Sequence, residues 1–114
     1  MPHSNADSTR IENRIPGSDT NPYLAIAASL ACGYLGIQEG LRPSEPIAES
    51  AWDLEHSLPR SLRESLDLLL QCKPIIDLFG ERFVSVFVDL KLRELGAYSS
   101  TVTAWEREHL LLKV

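Results

Sequence analysis

The sequence predicts an α+β fold that is mainly helical, with one strand near its N-terminal end. Three observations carry this. Residues 10–15, RIENRI, alternate with the period of two that a strand requires. Helix starts are marked by Asn21-Pro22 and by the capping boxes Ser61-x-x-Glu64 and Thr103-x-x-Glu106. The long apolar stretches between these marks mostly follow helical spacing.

Residues 1–9 are polar and read as a loop or frayed end. The strand over 10–15 puts Arg10, Glu12 and Arg14 on one face and Ile11, Asn13 and Ile15 on the other, and Pro16-Gly17 ends it. Asn21 then serves as a helix N-cap. Pro22 suits the first helical position because the N–H it lacks would find no partner there. From Tyr23 to Ile37 the predicted helix is apolar on nearly every side, as in an enclosed helix. Its small residues Ala25, Ala28, Ala31, Gly33 and Gly36 let other backbone approach closely.

Residues 38–60 contain Pro43, Pro46 and Pro59 and read as a long irregular connection. The helix opened by Ser61 carries Leu62, Leu66 and Leu69 on one face. A short helical piece around Pro74 to Phe79 ends at Gly80. The run FVSVFVDLKL, residues 83–92, fits strand and helix periods alike; its length and polar flanks favour helix. A terminal helix opens at Thr103 and runs into Leu110, Leu111, Leu112, Lys113 and Val114.

The chain has 114 residues, which suits one domain or part of one. Its net charge of −5 argues against a nucleic-acid binder and leaves no basic face for an anionic membrane. No apolar stretch reaches the roughly 20 residues of a membrane-spanning helix, and MPHSNADST lacks the pattern of a signal peptide. Cys32 and Cys72 form no C-x-x-C and sit in apolar helical surroundings, so buried, reduced thiols and a cytoplasmic setting are expected. His3, His56 and His109 are too scattered for a zinc site or a nucleophile–base pair. Trp52 and Trp105 read as packing anchors, and His109 as a half-exposed helix residue.

The order Arg10, Glu12, Arg14 has two readings. One is a solvated strand face whose salt bridges contribute little. The other is chemical. Alternate strand residues stand roughly 6.5 to 7 Å apart. A carboxylate at that spacing from two guanidiniums can hold a divalent cation while the arginines grip phosphate or carboxylate oxygens bidentately.

The run RIENRIPGSDTNPYLAIAASLACGYLGI, with the later LPRSLRESLDLL, GERFVSVFVDLK and WEREHLLLKV, resembles the C-terminal part of the glutamine synthetase catalytic domain. The likeness covers residues 9–114, and GYLG and the closing WEREHLLLKV look most like the γ-glutamylpolyamine synthetase branch. The resemblance implies the mainly helical C-terminal segment of that domain, with residues 10–15 as an active-site strand. It also implies that Glu12 ligates a divalent metal, Mg²⁺ or Mn²⁺, beside the nucleotide. Arg10 is implied to contact ATP phosphate, and Arg14 to hold the γ-carboxylate of glutamate and the γ-glutamyl phosphate formed from it. Glutamate, ATP and ammonia or an amine are the implied partners, in a homo-oligomer.

Family chains are several times longer, so the remaining metal ligands and most ATP and ammonium contacts are expected outside these residues. Met1-Pro2 falls where relatives carry an apolar residue and proline, which implies a start inside the domain. Trp52 stands where bacterial relatives carry a regulatory tyrosine, so adenylylation there is excluded. Gly96, Ser99, Ser100 and Thr101 weaken a helix that relatives fill with charged and aromatic residues. As a lone chain no turnover is expected, and exposed apolar surface is expected to drive self-association or rearrangement of the terminal helices. A non-catalytic helical interaction or assembly fragment is the rival reading.

Overall fold

The computed structural model describes residues 10–47, 50 and 58–111. The elements in order are α1 (Pro22–Gln38), α2 (Leu62–Gln71), α3 (Lys73–Phe79), α4 (Glu81–Ser99) and α5 (Ala104–His109). They fall into two units, residues 1–46 and 47–114.

In the first unit, residues 10–15 are irregular, and no strand occurs among the described residues. The predicted strand is absent for a physical reason. A strand is fixed by hydrogen bonds to a neighbour, and no second strand lies alongside among the described residues. A turn closed by Thr20 N–H to the Gly17 carbonyl, 3.2 Å, leads into α1. Asn21 caps that helix as expected: its Oδ1 accepts from Tyr23 N–H at 3.0 Å and from Leu24 N–H at 3.3 Å. At the other end Leu41 N–H reaches the Gly36 carbonyl and Gly40 N–H reaches that of Ile37. These two bonds make a Schellman ending, with Gly40 at φ +64 supplying its left-handed residue.

Enclosure of α1 is not what the structure shows. Among its residues only Ala31 is buried, and Tyr23, Ile26, Leu30, Tyr34 and Ile37 are exposed. Cys32 is likewise exposed and Cys72 half-buried; both are free thiols. A helix apolar all round states that cover is needed, and the described residues do not supply it to every side.

The second unit has a small core. Leu66 of α2 packs with Val84 and Val88 of α4, and Leu69, Ile76, Phe79, Phe87 and Leu92 close around them. Of the predicted leucine face, Leu66 is buried and Leu69 joins the cluster, but Leu62 is 40% exposed. Ser61 Oγ accepts from Glu64 N–H at 3.1 Å, the first half of the capping box. The returning half slips by one residue, because Glu64 Oε2 accepts from Arg60 N–H at 2.8 Å.

Pro74, in the first turn of α3, cannot donate to the turn before it, so α2 stops at Gln71 and α3 starts anew. On α3, Lys73 Nζ bonds Asp77 Oδ1 at 2.6 Å, and this hydrogen bond holds the ammonium pKa above its ordinary 10.5. Gly80, at φ +88 and ψ +135, separates α3 from α4. The ambiguous run 83–92 lies wholly within helix α4. Phe79, Phe83 and Phe87 stack in succession at 5.8 and 6.4 Å between ring centroids; the first pair bridges α3 and α4, and the second is the four-residue spacing along α4. The hydroxyls of Ser100 and Thr101 both donate to the Ala97 carbonyl, which ends α4 at the serine–threonine run.

The second capping box forms in full. Thr103 Oγ1 accepts from Glu106 N–H at 3.1 Å, and Glu106 Oε2 accepts from Thr103 N–H at 2.7 Å. That backbone bond, and a second from the Thr103 hydroxyl, hold the Glu106 carboxyl below its ordinary 4.5. Helix α5 ends at His109, with Leu110 at its C-cap; residues 112–114 lie outside the described residues. Trp105 is not a packing anchor. It is 61% exposed and stacks on His109, 4.7 Å between ring centroids, while His109 itself is exposed. Trp52 and the segment around it lie outside the described residues.

Candidate functional site

The predicted site residues sit on the irregular segment that precedes α1. Arg10, Glu12 and Arg14 are all exposed. Glu12 and Arg14 are brought together, with Arg14 Nε donating to Glu12 Oε1 at 2.5 Å. The pair is open to water, Arg14 side chain 87% and Glu12 side chain 46% exposed, so in this chain it contributes no more than about 1 kcal/mol. Arg10 lies at the start of the segment.

The alternation that failed to make a strand still sorts the side chains. Asn13, assigned to the face opposite the charges, donates through Nδ2 to Ser29 Oγ on α1 at 2.9 Å. Ser29 Oγ–H in turn donates to the Ala25 carbonyl at 2.8 Å, and Asn13 Oδ1 accepts from Ile15 N–H at 3.1 Å. This relay ties the segment to the helix. Sequence reading missed the tether, although Ser29 is the one serine in the apolar run and so gave a signal.

Between segment and helix lies an open groove of about 540 Å³, lined on one side by Ile11, Asn13 and Pro16 and on the other by Ala25, Ile26, Ser29 and Leu30. None of Arg10, Glu12 or Arg14 lines it.

For a metal, the donor chemistry of Glu12 fits a hard divalent cation, since it offers carboxylate oxygens in the open. It is a single donor. No cluster of three or more His, Cys, Asp or Glu side chains that could hold a metal ion occurs among the described residues. No helix among them is long and apolar enough to cross a membrane.

The described residues give an ion-paired segment tied to an apolar helix and, separately, a small helical unit. Comparison with known proteins gives the family. Residues 1–110 match the glutamine synthetase catalytic domain, and the chain belongs to that family, in its C-terminal part. It is 38% identical over 107 residues to the glutamate–isopropylamine ligase of a Pseudomonas species, covering 90% of this chain and 23% of the relative. It is 40% identical over 110 residues to type-1 glutamine synthetase 2 of Dictyostelium discoideum, covering 91% and 21%. It is 39% identical over 101 residues to the γ-glutamylethanolamide synthetase GlnA4 of Streptomyces coelicolor, covering 87% and 22%. The chain thus spans about a quarter or less of the length of these curated relatives. No solved structure matches it significantly.

Proposed function

We propose that these residues form the C-terminal part of an ATP-dependent ligase that joins the γ-carboxylate of glutamate to ammonia or an amine. The reaction runs in two balanced steps. A γ-carboxylate oxygen takes the terminal phosphoryl of ATP, giving γ-glutamyl phosphate and ADP. The amine lone pair then attacks the acyl carbon, phosphate leaves with the C–O electron pair, and the nitrogen gives up a proton to yield the amide.

In this reading Arg10 binds ATP phosphate, Glu12 ligates Mg²⁺ or Mn²⁺, and Arg14 grips the γ-carboxylate and then its phosphorylated form. A divalent cation bound at Glu12 would neutralise charge on the phosphoryl group. Arg14 suits its role because its planar fork matches a carboxylate or phosphate bidentately. Catalysis of this kind rests on positioning and charge neutralisation. The observation that carries the reading is family membership together with the Glu12–Arg14 pair, exposed on a segment held from its other side by Asn13 and Ser29.

The names of the relatives cover ammonia-type, isopropylamine and ethanolamine products, which is why the acceptor is stated as ammonia or an amine; a polyamine is one member of that class. The test is a chimera in which residues 10–110 replace the matched part of the Pseudomonas ligase. Glu12→Gln is expected to raise the metal concentration needed for half-maximal rate, and Arg14→Lys to raise the glutamate KM. Unchanged kinetics in both variants would reduce the segment to a salt-bridged surface.

A further inference from the structure

Asn13 is the uncharged residue between Glu12 and Arg14, and both ends of its side-chain amide are committed. Nδ2 donates to Ser29 Oγ on α1 at 2.9 Å. Oδ1 accepts from Ile15 N–H at 3.1 Å, so this second bond spans Arg14 and closes its backbone into a local turn. Ser29 is set for its part by helix geometry. Its hydroxyl donates to the Ala25 carbonyl one turn back at 2.8 Å, which leaves lone pairs of the oxygen free to accept from Asn13. Ser29 is half-buried, and Ile11, Pro16, Ile26 and Leu30 line the same groove. Apolar neighbours of this kind strengthen a hydrogen bond between neutral groups.

We propose that Asn13 and Ser29 are positioning residues for the ligase reaction. Their relay fixes the backbone of Arg14 against α1, and with it the place at which the Arg14 guanidinium and its partner, the Glu12 carboxylate, stand during phosphoryl transfer and amine attack. The inference rests on the ligase reading for the chemistry served, and on the two hydrogen bonds for the means. Neither residue is asked to touch a reacting group.

A bond that only pins one surface segment to a helix predicts something different. Alanine is a better helix former than serine, and a serine hydroxyl bonded back to the carbonyl four residues earlier slightly weakens a helix. Ser29→Ala should therefore leave α1 as helical as before. If the bond were incidental, the rate would stay as well. If the relay positions Arg14, the rate falls while the helix holds.

The test has two arms. In the chimera with the Pseudomonas ligase, Ser29→Ala and Asn13→Leu should each lower kcat on the order of tenfold or more. Glutamate KM and the half-saturating metal concentration should move less than about twofold, because the guanidinium and carboxylate remain and only their alignment in the transition state is lost. The double variant should lose no more than either single one, since both break one relay. Ser29→Thr keeps a hydroxyl that can bond the Ala25 carbonyl, and should restore the rate. In the isolated chain, backbone order parameters of Arg14 and Ile15, measured by ¹⁵N relaxation, should fall from about 0.85 to below about 0.6 in Ser29→Ala and return in Ser29→Thr. The inference is overturned if Ser29→Ala or Asn13→Leu keeps the full kcat, if Ser29→Thr loses as much as Ser29→Ala, or if the order parameters do not change. A chimera without amine-dependent phosphate release before any substitution counts against the ligase reading, and the order parameters then decide by themselves whether the relay fixes Arg14.

Discussion

Two glycine-to-alanine substitutions in the second unit should change stability in opposite directions. Gly80 has φ +88 and ψ +135, whereas Gly96 lies within α4 at ordinary helical geometry. A Cβ built on either residue meets nothing within 4 Å, so packing is neutral at both and only the backbone decides. At position 80, alanine must hold a conformation that L residues rarely adopt, at a cost of about 1 to 3 kcal/mol. Reduced freedom of the unfolded chain returns about 0.4 to 1 kcal/mol, leaving a net loss of about 1 to 2. The hydrogen bonds through Gly80, its N–H to the Ile76 carbonyl and its carbonyl from Val84 N–H, survive the change and do not add to the loss. At position 96, alanine gains helix propensity of about 0.5 to 1 kcal/mol, scaled down from mid-helix values because Ser99 ends the helix three residues later. The two variants should therefore differ by about 2 kcal/mol. For a unit of this size that is roughly 8 to 16 °C in Tm, read by thermal or urea denaturation followed by far-UV circular dichroism. If Gly80→Ala proves as stable as wild type, or both variants shift the same way, the positive φ at Gly80 does not hold α3 and α4 in their observed arrangement.

Leu66 is 3% exposed at the centre of the only core cluster found among the described residues. Leu66→Ala should cost about 2 to 5 kcal/mol and remove most of the helical signal of the second unit at 37 °C, whereas Leu68→Ala at a half-exposed site should cost far less. Thr103→Ala removes one arm of the intact capping box and should destabilise α5 by about 1 kcal/mol, seen as faster amide exchange at Glu106 and Arg107. Because Glu106 is held below its ordinary 4.5, its contribution is present above that value and is lost as pH falls through the folded value. Amide exchange in α5 should accordingly rise on acidification before the α2–α4 core opens, and Glu106→Gln should flatten that response. For Lys73 the sign is reversed: its bond to Asp77 stabilises α3 below the ordinary lysine value of 10.5 and fades only as pH rises through the raised one.

What was legible in the sequence followed from local chemistry. Asn21-Pro22, Ser61, Gly80 and Thr103 each satisfy or break backbone hydrogen bonds within a few residues, so α1, α2, α3 and α5 begin or end where those residues require. The run 83–92 resolved as helix because its apolar residues meet the core through Val84, Val88 and Leu92, a helical set of spacings. What was not legible depended on partners. The RIENRI alternation describes a strand only when a neighbour supplies the ladder. The apolar faces of α1 imply cover without saying where it comes from, which is why Cys32, expected to be buried, is exposed. Trp105 follows the same logic: its size predicts burial, yet within six residues of helix its available neighbour was His109, one turn on. At the candidate site, the charges were plain and the tether was not, because the Asn13–Ser29 bond spans 16 residues and depends on how the segment folds back on α1.

The tether bears on what this part of the family fold contributes to chemistry. In the proposed site the Glu12 carboxylate must leave Arg14 to ligate a cation. That step is not the obstacle, since an exposed pair of this kind is worth no more than about 1 kcal/mol. The obstacle is ligand number. A divalent cation seeks six or more oxygens, and the described residues of this chain hold no cluster that could complete the set. In the proposed site Glu12 would therefore act by position rather than affinity, and position depends on the backbone that carries it. Asn13 turns its amide towards α1 while its neighbours on either side turn their charges to solvent, so one hydrogen-bond relay fixes the face on which both charged groups stand. Loss of that relay should reduce the rate of a complete enzyme without touching metal, nucleotide or glutamate, because a displacement of about 1 Å at reacting groups can cost on the order of a hundredfold in rate.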